Sequence, residues 1–374
     1  MNKFIVKNLV TKNIESELEK IGFDIAYRAK ASDKYRYKTL KIFDLTLPQA
    51  HILKQTALSF GADCGVHREV LTAKVDKTDV ILGGSFSQLK KICEKLKKQP
   101  FSLPILAEKI LNELQLSHQK TQLFGILNLT PDSFSDGGIY FDSDSAIKKF
   151  YQLIEDGADI IDIGAESARP QSKPISAEEQ ISRLKLVSNE FKKVSIPISI
   201  DTRSSDVARF ALDNGAKIIN DVSGFDYDSK IIDIIANYHA GVVIQHSQGT
   251  PDSMQNNPQY NDIVEDVYLN LHKKNELAKE KGIENIILDV GIGFGKTKEH
   301  NFELLNRIEE FYSLNQPLMV GVSRKSLLGI TSDDNDLKDS LSLAISYPLI
   351  QKGVNYLRVH NVKLHKQLLN SVIS

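Results

Sequence analysis

Three short segments each carry an acidic or amide side chain at the end of a run of apolar residues. The segment ISIDTR ends its run at Asp201, IINDVSG at Asn220 and NIILDV at Asp289. Such runs are typical of strands that are buried on both faces of a parallel sheet. Carboxylates and an amide at one edge of this sheet suit a flat heterocycle, because its ring atoms can form two parallel hydrogen bonds with a carboxylate.

A second set of polar residues contains cations. Buried carboxylates cost free energy unless a cation or ligand pairs with them, which makes Lys325 in VGVSRKS their predicted partner. Arg358 and His360 in LRVHNV are two residues apart, so both point to the same face of a strand. With Asn128 they predict a site for a phosphorylated group, because arginine binds phosphate in a bidentate manner. Phosphate and amide oxygens together suit Mg²⁺.

Two further patterns have a simpler structural explanation. In GIGFGKT, Lys296 resembles the lysine of a phosphate-binding loop, but Val290 stands where that motif requires its first glycine. The glycines around Phe294 instead predict that backbone lies close to a bound ring, with the aromatic side chain as a lid. His246 is interpreted as a core histidine whose hydrogen bonds are satisfied within the protein.

Eight apolar runs, each followed by a loop and a helical pattern, position these residues between Leu123 and His360. Eight such units in about 250 residues are typical of a (β/α)8 barrel, and a doubly wound open sheet is the alternative. Polar residues at the ends of all eight runs favour closure, because the edge strands of an open sheet lie far from its ligand site. We therefore predict an α/β fold, a (β/α)8 TIM barrel, over residues 116–374. Its helices include two over 177–192 and 301–312.

Residues 1–115 have a different pattern and are assigned to a small α+β domain of unknown role. From Leu40 the predicted order is strand, helix, strand, strand, helix, strand, with the last strand over Phe101 to Leu106. That order favours a ferredoxin-like arrangement.

Composition excludes several classes of protein. The 374 residues include 47 basic and 48 acidic ones, so the net charge of −1 gives no overall attraction for nucleic acid or an anionic membrane. Two cysteines, Cys64 and Cys93, are too few for a disulfide framework. No apolar run is long enough for a membrane span or a signal peptide. We expect a cytoplasmic protein that binds neither nucleic acid nor membranes.

The segments resemble, in the same order, the signatures of dihydropteroate synthases, the pterin-binding enzymes of folate biosynthesis. FGILNLTPDSFSDGG resembles the first signature and GADIIDIGAESARP the second, and ISIDTR, IINDVSG, ILDVGIGFGK, VGVSRKS and LRVHNV resemble further blocks. The resemblance runs from Leu116 to the C-terminus and leaves out the N-terminal domain.

This resemblance implies a transferase that joins 6-hydroxymethyl-7,8-dihydropterin diphosphate to p-aminobenzoate and releases pyrophosphate and dihydropteroate. It also implies Mg²⁺ at Asn128, a homodimer formed through the barrel helices, and sulfonamides as competitors of p-aminobenzoate. By position, the catalytic residues are Asp201, Lys325, Arg169 and Asp132. The pterin would be bound by Asp201, Asn220, Asp289, Phe294, Gly321 and Lys325, the diphosphate by Asn128, Ala168, Arg358 and His360, and p-aminobenzoate by Arg169, Pro170, Ser323 and Phe134.

The sequence departs from the family pattern at a few positions. Ala168 replaces the Thr of ESTRP, which removes a hydroxyl group and predicts weaker contacts with substrates or sulfonamides. Gln245 and Ser247 replace apolar residues, and Val290 replaces a proline. These departures leave room for a binding or regulatory paralogue with an inactive site. A pterin-binding methyltransferase is the other alternative, although it has no use for a diphosphate site at Arg358.

Overall fold

The structure, a computed structural model, describes residues 4–9, 14–115, 120–130, 143–166, 174–249, 258–325, 329 and 334–372. The chain divides into two compact units, Met1–Ser117 and His118–Ser374. The described residues of the first unit contain a three-stranded sheet, and those of the second contain a closed barrel of eight strands. No helix among the described residues is both long and apolar enough to cross a membrane.

The first unit packs helices against one face of an antiparallel sheet in which β3 lies between β1 and β2. Its core includes Leu53, Leu82 and Leu89, all fully buried. Cys64 and Cys93 are buried and free. The elements are α1 Ile14–Lys20, α2 Arg28–Ser32, β1 Tyr37–Thr46, α3 Leu47–Ser59, β2 Asp63–Val66, β3 Lys77–Ser85, α4 Phe86–Leu96 and α5 Leu103–Glu113.

The strand predicted over Phe101 to Leu106 is wrong, because α5 begins at Leu103. Phe101 and Ser102 have positive φ angles of 61° and 58°, which no strand adopts. Pro104 then lies in the first helical turn, where its missing N–H has no intrahelical partner to lose. The described part of this unit therefore has one strand fewer than the ferredoxin-like order requires.

The second unit is a (β/α)8 barrel, as the sequence predicted. All its strand pairs are parallel, in the order β10-β11-β4-β5-β6-β7-β8-β9. The strands are β4 Gln122–Asn128, β5 Ile160–Gly164, β6 Ile198–Asp201, β7 Ile218–Asp221, β8 Gly241–Gln245, β9 Ile286–Asp289, β10 Leu318–Val320 and β11 Tyr356–Val359. The helices that follow them are α6 Ser143–Glu155, α7 Ala177–Leu184, α8 Ser205–Asp213, α9 Ile231–Asn237, α10 Ile263–Glu280, α11 Lys298–Asn306, α12 Asn335–Lys352 and α13 Val362–Val372.

Two predicted helices have different bounds. The helix predicted over 177–192 ends at Leu184, and a separate 3-10 helix follows over Ser188–Lys193. The helix predicted over 301–312 begins earlier, at Lys298, because Thr297 and His300 form a capping box, and it ends at Asn306.

Apolar side chains fill the interior of the barrel. Phe124, Ile160, Val243, Ile287 and Met319 form one interior cluster, and a larger cluster lies between strands and helices. Because the interior is packed, a ligand of this fold would bind at the carboxyl ends of the strands, where the polar residues lie.

Candidate active site

The parallel register brings the polar ends of neighbouring strands to one level of the barrel. Asn128 on β4 pairs with Gly164 on β5, Gly164 pairs with Asp201 on β6, and Asp201 pairs with Asn220 on β7. Since laterally paired residues of parallel strands point to the same side, these residues form one row at the mouth.

Arg358 on β11 reaches across this mouth and joins two carboxylates. Its Nε donates to Oδ2 of Asp162 at 2.6 Å, and its Nη2 donates to Oδ2 of Asp201 at 2.7 Å. Asp201 is therefore hydrogen-bonded to Arg358, and the predicted cation Lys325 interacts with Asp201 through its charge. The arginine side chain is long enough to extend past β4, which lies between β11 and β5, and to reach both β5 and β6.

Asp162 is the most fully bound acid of the site. It is completely buried, and its Oδ1 also accepts Ser199 Oγ at 2.6 Å while its Oδ2 accepts Asn220 Nδ2 at 3.0 Å. The opposite atom of that amide, Oδ1 of Asn220, is buried and has no hydrogen-bond partner among the described residues. An unpaired buried acceptor is costly, so this atom is suited to a donor on a ligand.

Asp201 and Asp289 have raised pKa values. Burial raises the pKa of Asp201 to about 7, with Arg358 lowering it and the charge of Asp162 raising it further. Burial also raises the pKa of Asp289, against the charge of Lys325 and the hydrogen bond from Gly291 N, which donates to Oδ1 at 2.8 Å. Strongly perturbed acids in a cleft are typical of functional sites.

Lys325 follows β10, the strand next to β9, which ends at Asp289. Its Nζ donates to the carbonyl of Ile292 at 2.5 Å and lies 4.7 Å from the ring centre of Phe294. Burial lowers the pKa of Lys325 to about 8, while the charge of Asp289 raises it. Gly321 is open toward this lysine, since a Cβ on Gly321 would lie 3.7 Å from Lys325 Nζ and 3.5 Å from the Cβ of Arg358.

Ser323 and His360 form a hydrogen-bonded pair at the ends of β10 and β11. The backbone N–H of His360 donates to Ser323 Oγ at 3.2 Å, and Nδ1 of the same histidine lies 3.0 Å from that oxygen. His360 thus contacts Ser323 while Arg358 contacts Asp162 and Asp201, and a phosphate site shared by His360 and Arg358 stays a prediction.

Asn128 is half-buried at the end of β4, and its Oδ1 lies 3.2 Å from where a Cβ on Gly164 would be. Within the described ranges, no group of three or more His, Cys, Asp and Glu side chains could hold a metal ion. Five predicted site residues lie outside the described residues: Asp132, Phe134, Ala168, Arg169 and Pro170.

Sequence reasoning assigned no partner to several buried polar residues near the mouth, although Asp162 is one of the polar residues at the ends of the eight runs. Asp162 interrupts the apolar run DIIDIG, and a charge inside such a run was the available signal. Arg203, which directly follows IDT in ISIDTR, lies 3.4 Å from Glu166 and 4.1 Å from the ring centre of Tyr227. No pattern in the sequence pairs these residues, because they come from different loops.

Residues 124–360 match the family model described as pterin-binding enzyme, which is well over half of the chain. The chain belongs to the pterin-binding enzyme family. A bifunctional dihydropteroate synthase/dihydropteroate reductase of Helicobacter pylori is 34% identical over 372 residues, which are 98% of this chain and 97% of that relative. The dihydropteroate synthase of Clostridium beijerinckii is 38% identical over 65% of this chain and 90% of its own length.

Solved structures agree with this family assignment. Dihydropteroate synthase of Xanthomonas albilineans, determined with 4-aminobenzoic acid, has a TM-score of 0.64 and 32% identity, and the match covers 69% of this chain and 94% of that one. Within the family, the chain is an enzyme of the dihydropteroate synthase type, a transferase, as the resemblance implied.

Proposed function

We propose that the barrel mouth condenses 6-hydroxymethyl-7,8-dihydropterin diphosphate with p-aminobenzoate to give dihydropteroate and pyrophosphate. The observation that carries this proposal is the convergence of buried acids and cations on one mouth, with Arg358 bonded to both Asp162 and Asp201. A relative with 32% identity was solved with 4-aminobenzoic acid, which supports the second substrate.

The pterin ring would lie among the acids. Its ring and amino N–H groups would donate to the carboxylates of Asp201 and Asp289 and to the buried Oδ1 of Asn220. Phe294 and Gly321 would border the ring, with Lys325 beside them. A ligand with several donors fits this pocket because it would satisfy acceptors that are otherwise buried without enough partners.

The transfer breaks the bond between the pterin methylene carbon and a diphosphate oxygen and forms a bond from that carbon to the amine nitrogen of p-aminobenzoate, which loses a proton. Positive charge develops on the pterin side and negative charge on the departing pyrophosphate. Asp201 and Asp289 would stabilise the positive charge, and Arg358 and His360 the negative charge. Ser323 would border p-aminobenzoate beside Lys325.

Mg²⁺ fits the proposed diphosphate site. Asn128 is a half-buried amide at the mouth, and Mg²⁺ typically takes one or two protein oxygens and completes its shell with substrate phosphates and water. When bound, the ion would neutralise charge on the diphosphate. Catalytic roles for Asp132 and Arg169, and contacts of Ala168, Pro170 and Phe134 with substrates, are proposed from the sequence alone.

A homodimer through helix α12 is part of the proposal. Leu337, Leu341 and Tyr347 on its outer face are 44%, 36% and 48% exposed. Its buried residues are largely polar: Asp339, Ser342 and Ser346. The exposed apolar side chains of this helix would be buried if they packed against the same helix of a second copy related by a two-fold axis.

A second candidate activity is the reduction of dihydropteroate. The bifunctional relative covers 98% of this chain, whereas the dihydropteroate synthase of C. beijerinckii covers 65%. The N-terminal domain, proposed over residues 1–115, is thus shared with a relative whose name includes a reductase. Reduction would transfer a hydride to C6 of the pterin and a proton to N5, with a reduced nicotinamide or flavin as donor. Tetrahydropteroate formation by the full chain with each donor tests this activity.

The decisive experiment measures pyrophosphate release from the pterin diphosphate with and without p-aminobenzoate. Release that depends on p-aminobenzoate and yields dihydropteroate supports the synthase. Methyl transfer to a corrinoid protein without pyrophosphate would identify the methyltransferase alternative, and pterin binding without turnover would identify the inactive paralogue. A cytoplasmic location stays a prediction of the sequence.

A further inference from the structure

The lysine of the GIGFGKT segment is buried and surrounded by acceptors. Lys296 is 3% exposed, and its Nζ lies 2.9 Å from Nδ1 of His246, 2.9 Å from the carbonyl of Gly291 and 2.9 Å from the carbonyl of Phe294. The carbonyl of His246 is a fourth partner at 3.3 Å. An ammonium group has three donors and no acceptor, so it matches a site lined by acceptors.

The histidine in this arrangement is the acceptor. His246 is 5% exposed, and burial together with the charge of Lys296 lowers its pKa to about 2. A neutral imidazole accepts through one nitrogen, which here is Nδ1, and carries its proton on Nε2. Burial lowers the pKa of Lys296 to about 7, while the charge of Asp289 raises it.

The Gly291–Gly295 loop is pressed against the segment that contains His246. Gly291 has φ +70°, and a Cβ there would lie 1.8 Å from the carbonyl oxygen of His246. Gly295 has φ +62°, and its Cβ would lie 2.5 Å from the carbonyl oxygen of Gln248. The carbonyls of Gly291 and Phe294 in this loop accept hydrogen bonds from the buried Nζ of Lys296.

Lys325 also contacts the Gly291–Gly295 loop. The carbonyl of Ile292 accepts from Lys325 Nζ at 2.5 Å, and the ring of Phe294 lies 4.7 Å from the same nitrogen. A Cβ on Gly293 would lie 3.2 Å from Cδ of Lys325. The position of the Lys325 ammonium thus depends on three consecutive residues of the loop.

We propose that Lys296 is a positioning residue that holds the Gly291–Gly295 loop in the shape that aims Lys325 at the pterin pocket. This inference rests on the proposed function, because Lys325 borders the pterin there. Lys296 itself does not touch the substrate. Its charge keeps the loop carbonyls paired, and the loop keeps Lys325 in place.

The test compares Lys296→Met with Lys298→Met, which removes an exposed lysine two residues away. Lys296→Met should raise the KM for the pterin diphosphate at least about tenfold, the equivalent of one unsatisfied buried group, and lower kcat. Lys298→Met should match the wild type. An inactive wild type would refute the proposed function and not the positioning role. Crystal structures of the wild type and of Lys296→Met would then test the positioning role, and an unmoved 291–295 loop in the variant would overturn it.

His246 offers a second pair of variants if Lys296→Met fails to fold. His246→Asn keeps an acceptor near the position of Nδ1, whereas His246→Leu removes it. We expect His246→Asn to keep the pterin KM within about threefold of the wild type and His246→Leu to raise it about tenfold. Equal KM values for these two variants would overturn the inference.

Discussion

Arg324 binds Asp339 in a bidentate manner through one edge of its guanidinium group. Its Nε and Nη2 donate to the two carboxylate oxygens at 2.7 and 2.8 Å. Arg324 has a positive φ of 57°, and its N–H donates to Ser342 Oγ at 3.2 Å. This turn directs Arg324 toward helix α12 while its neighbours Ser323 and Lys325 contact His360 and Ile292 at the mouth.

Breaking this ion pair should lower both stability and activity. Asp339 is 3% exposed and also accepts from Asn361 Nδ2 at 3.1 Å, so Arg324→Met leaves a buried carboxylate with one donor among the residues that the structure describes. We expect a loss of about 1–3 kcal/mol in unfolding free energy. We also expect a fall of kcat by about tenfold or more, because Ser323 and Lys325 lose their fixed turn. Denaturant unfolding and steady-state kinetics measure the two effects.

Asp336→Asn is the control, since Asp336 is exposed in the first turn of the same helix and its loss should cost no more than about 1 kcal/mol. An Arg324→Met variant with unchanged kcat would show that the turn at 323–325 is held by other contacts.

The pKa of Asp201 predicts a pH dependence of pterin binding. Burial raises this pKa to about 7, and only the ionised carboxylate accepts two hydrogen bonds from a pterin. As pH falls below about 7, the protonated fraction rises and affinity should decline by up to about tenfold per pH unit. Calorimetric titration with a pterin from pH 5.5 to 8.5, a range of about three units around this pKa, measures the decline.

Asp201→Asn cannot ionise, so its pterin affinity should be lower at pH 8 and nearly constant across the same range. If the wild-type decline persists in Asp201→Asn, another group, or the ligand itself, is responsible for it.

The sequence predicted the site better than it predicted the pairs within it. Asp201, Asn220 and Asp289 could be located because parallel strands deliver their last residues to one edge of a sheet. The hydrogen-bond partner of Asp201 could not be predicted from the sequence, because the choice of Arg358 over Lys325 depends on distances within the closed barrel. Asp162 lay inside an apolar run, and only the structure gives its three donors.

The fold shows the same limit at element boundaries. Eight apolar runs predicted the barrel, but no glycine or proline directly after Leu184 indicates that α7 ends there. For the missing strand at 101–106, Pro104 was a usable signal, since proline is common in a first helical turn. The backbone of Phe101 and Ser102, both with positive φ, could not be foreseen, because these residue types seldom adopt it.

A charge on the outer face of α12 should dissociate the proposed dimer. Leu341→Glu introduces a carboxylate into the apolar face that Leu337 and Tyr347 share, and burying it at an interface is costly. We expect a monomer in sedimentation equilibrium with unchanged thermal unfolding of the barrel. Leu277→Glu on α10 is the matched control, because Leu277 is 41% exposed on another helix. A wild-type monomer, or dissociation by both variants alike, would contradict an interface at α12.

Gly291 and Gly321 should respond differently to substitution by alanine. A Cβ on Gly291 would lie 1.8 Å from the carbonyl oxygen of His246, and this residue has φ +70°. Overpacking and left-handed strain together predict a loss of about 2–4 kcal/mol in unfolding free energy for Gly291→Ala. A Cβ on Gly321 meets Arg358 and Lys325 only at 3.5 and 3.7 Å, so Gly321→Ala should change stability by less than about 0.5 kcal/mol.

The two variants therefore separate folding from ligand binding. Gly321→Ala adds a methyl group to the proposed pterin wall, so we expect the KM for the pterin diphosphate to rise about two- to tenfold while the unfolding curve stays unchanged. Chemical denaturation and steady-state kinetics on both variants supply the comparison. A stable Gly291→Ala protein would mean that the loop lies farther from His246 than it does in the structure. An unchanged KM in Gly321→Ala would mean that the pterin does not lie beside Gly321.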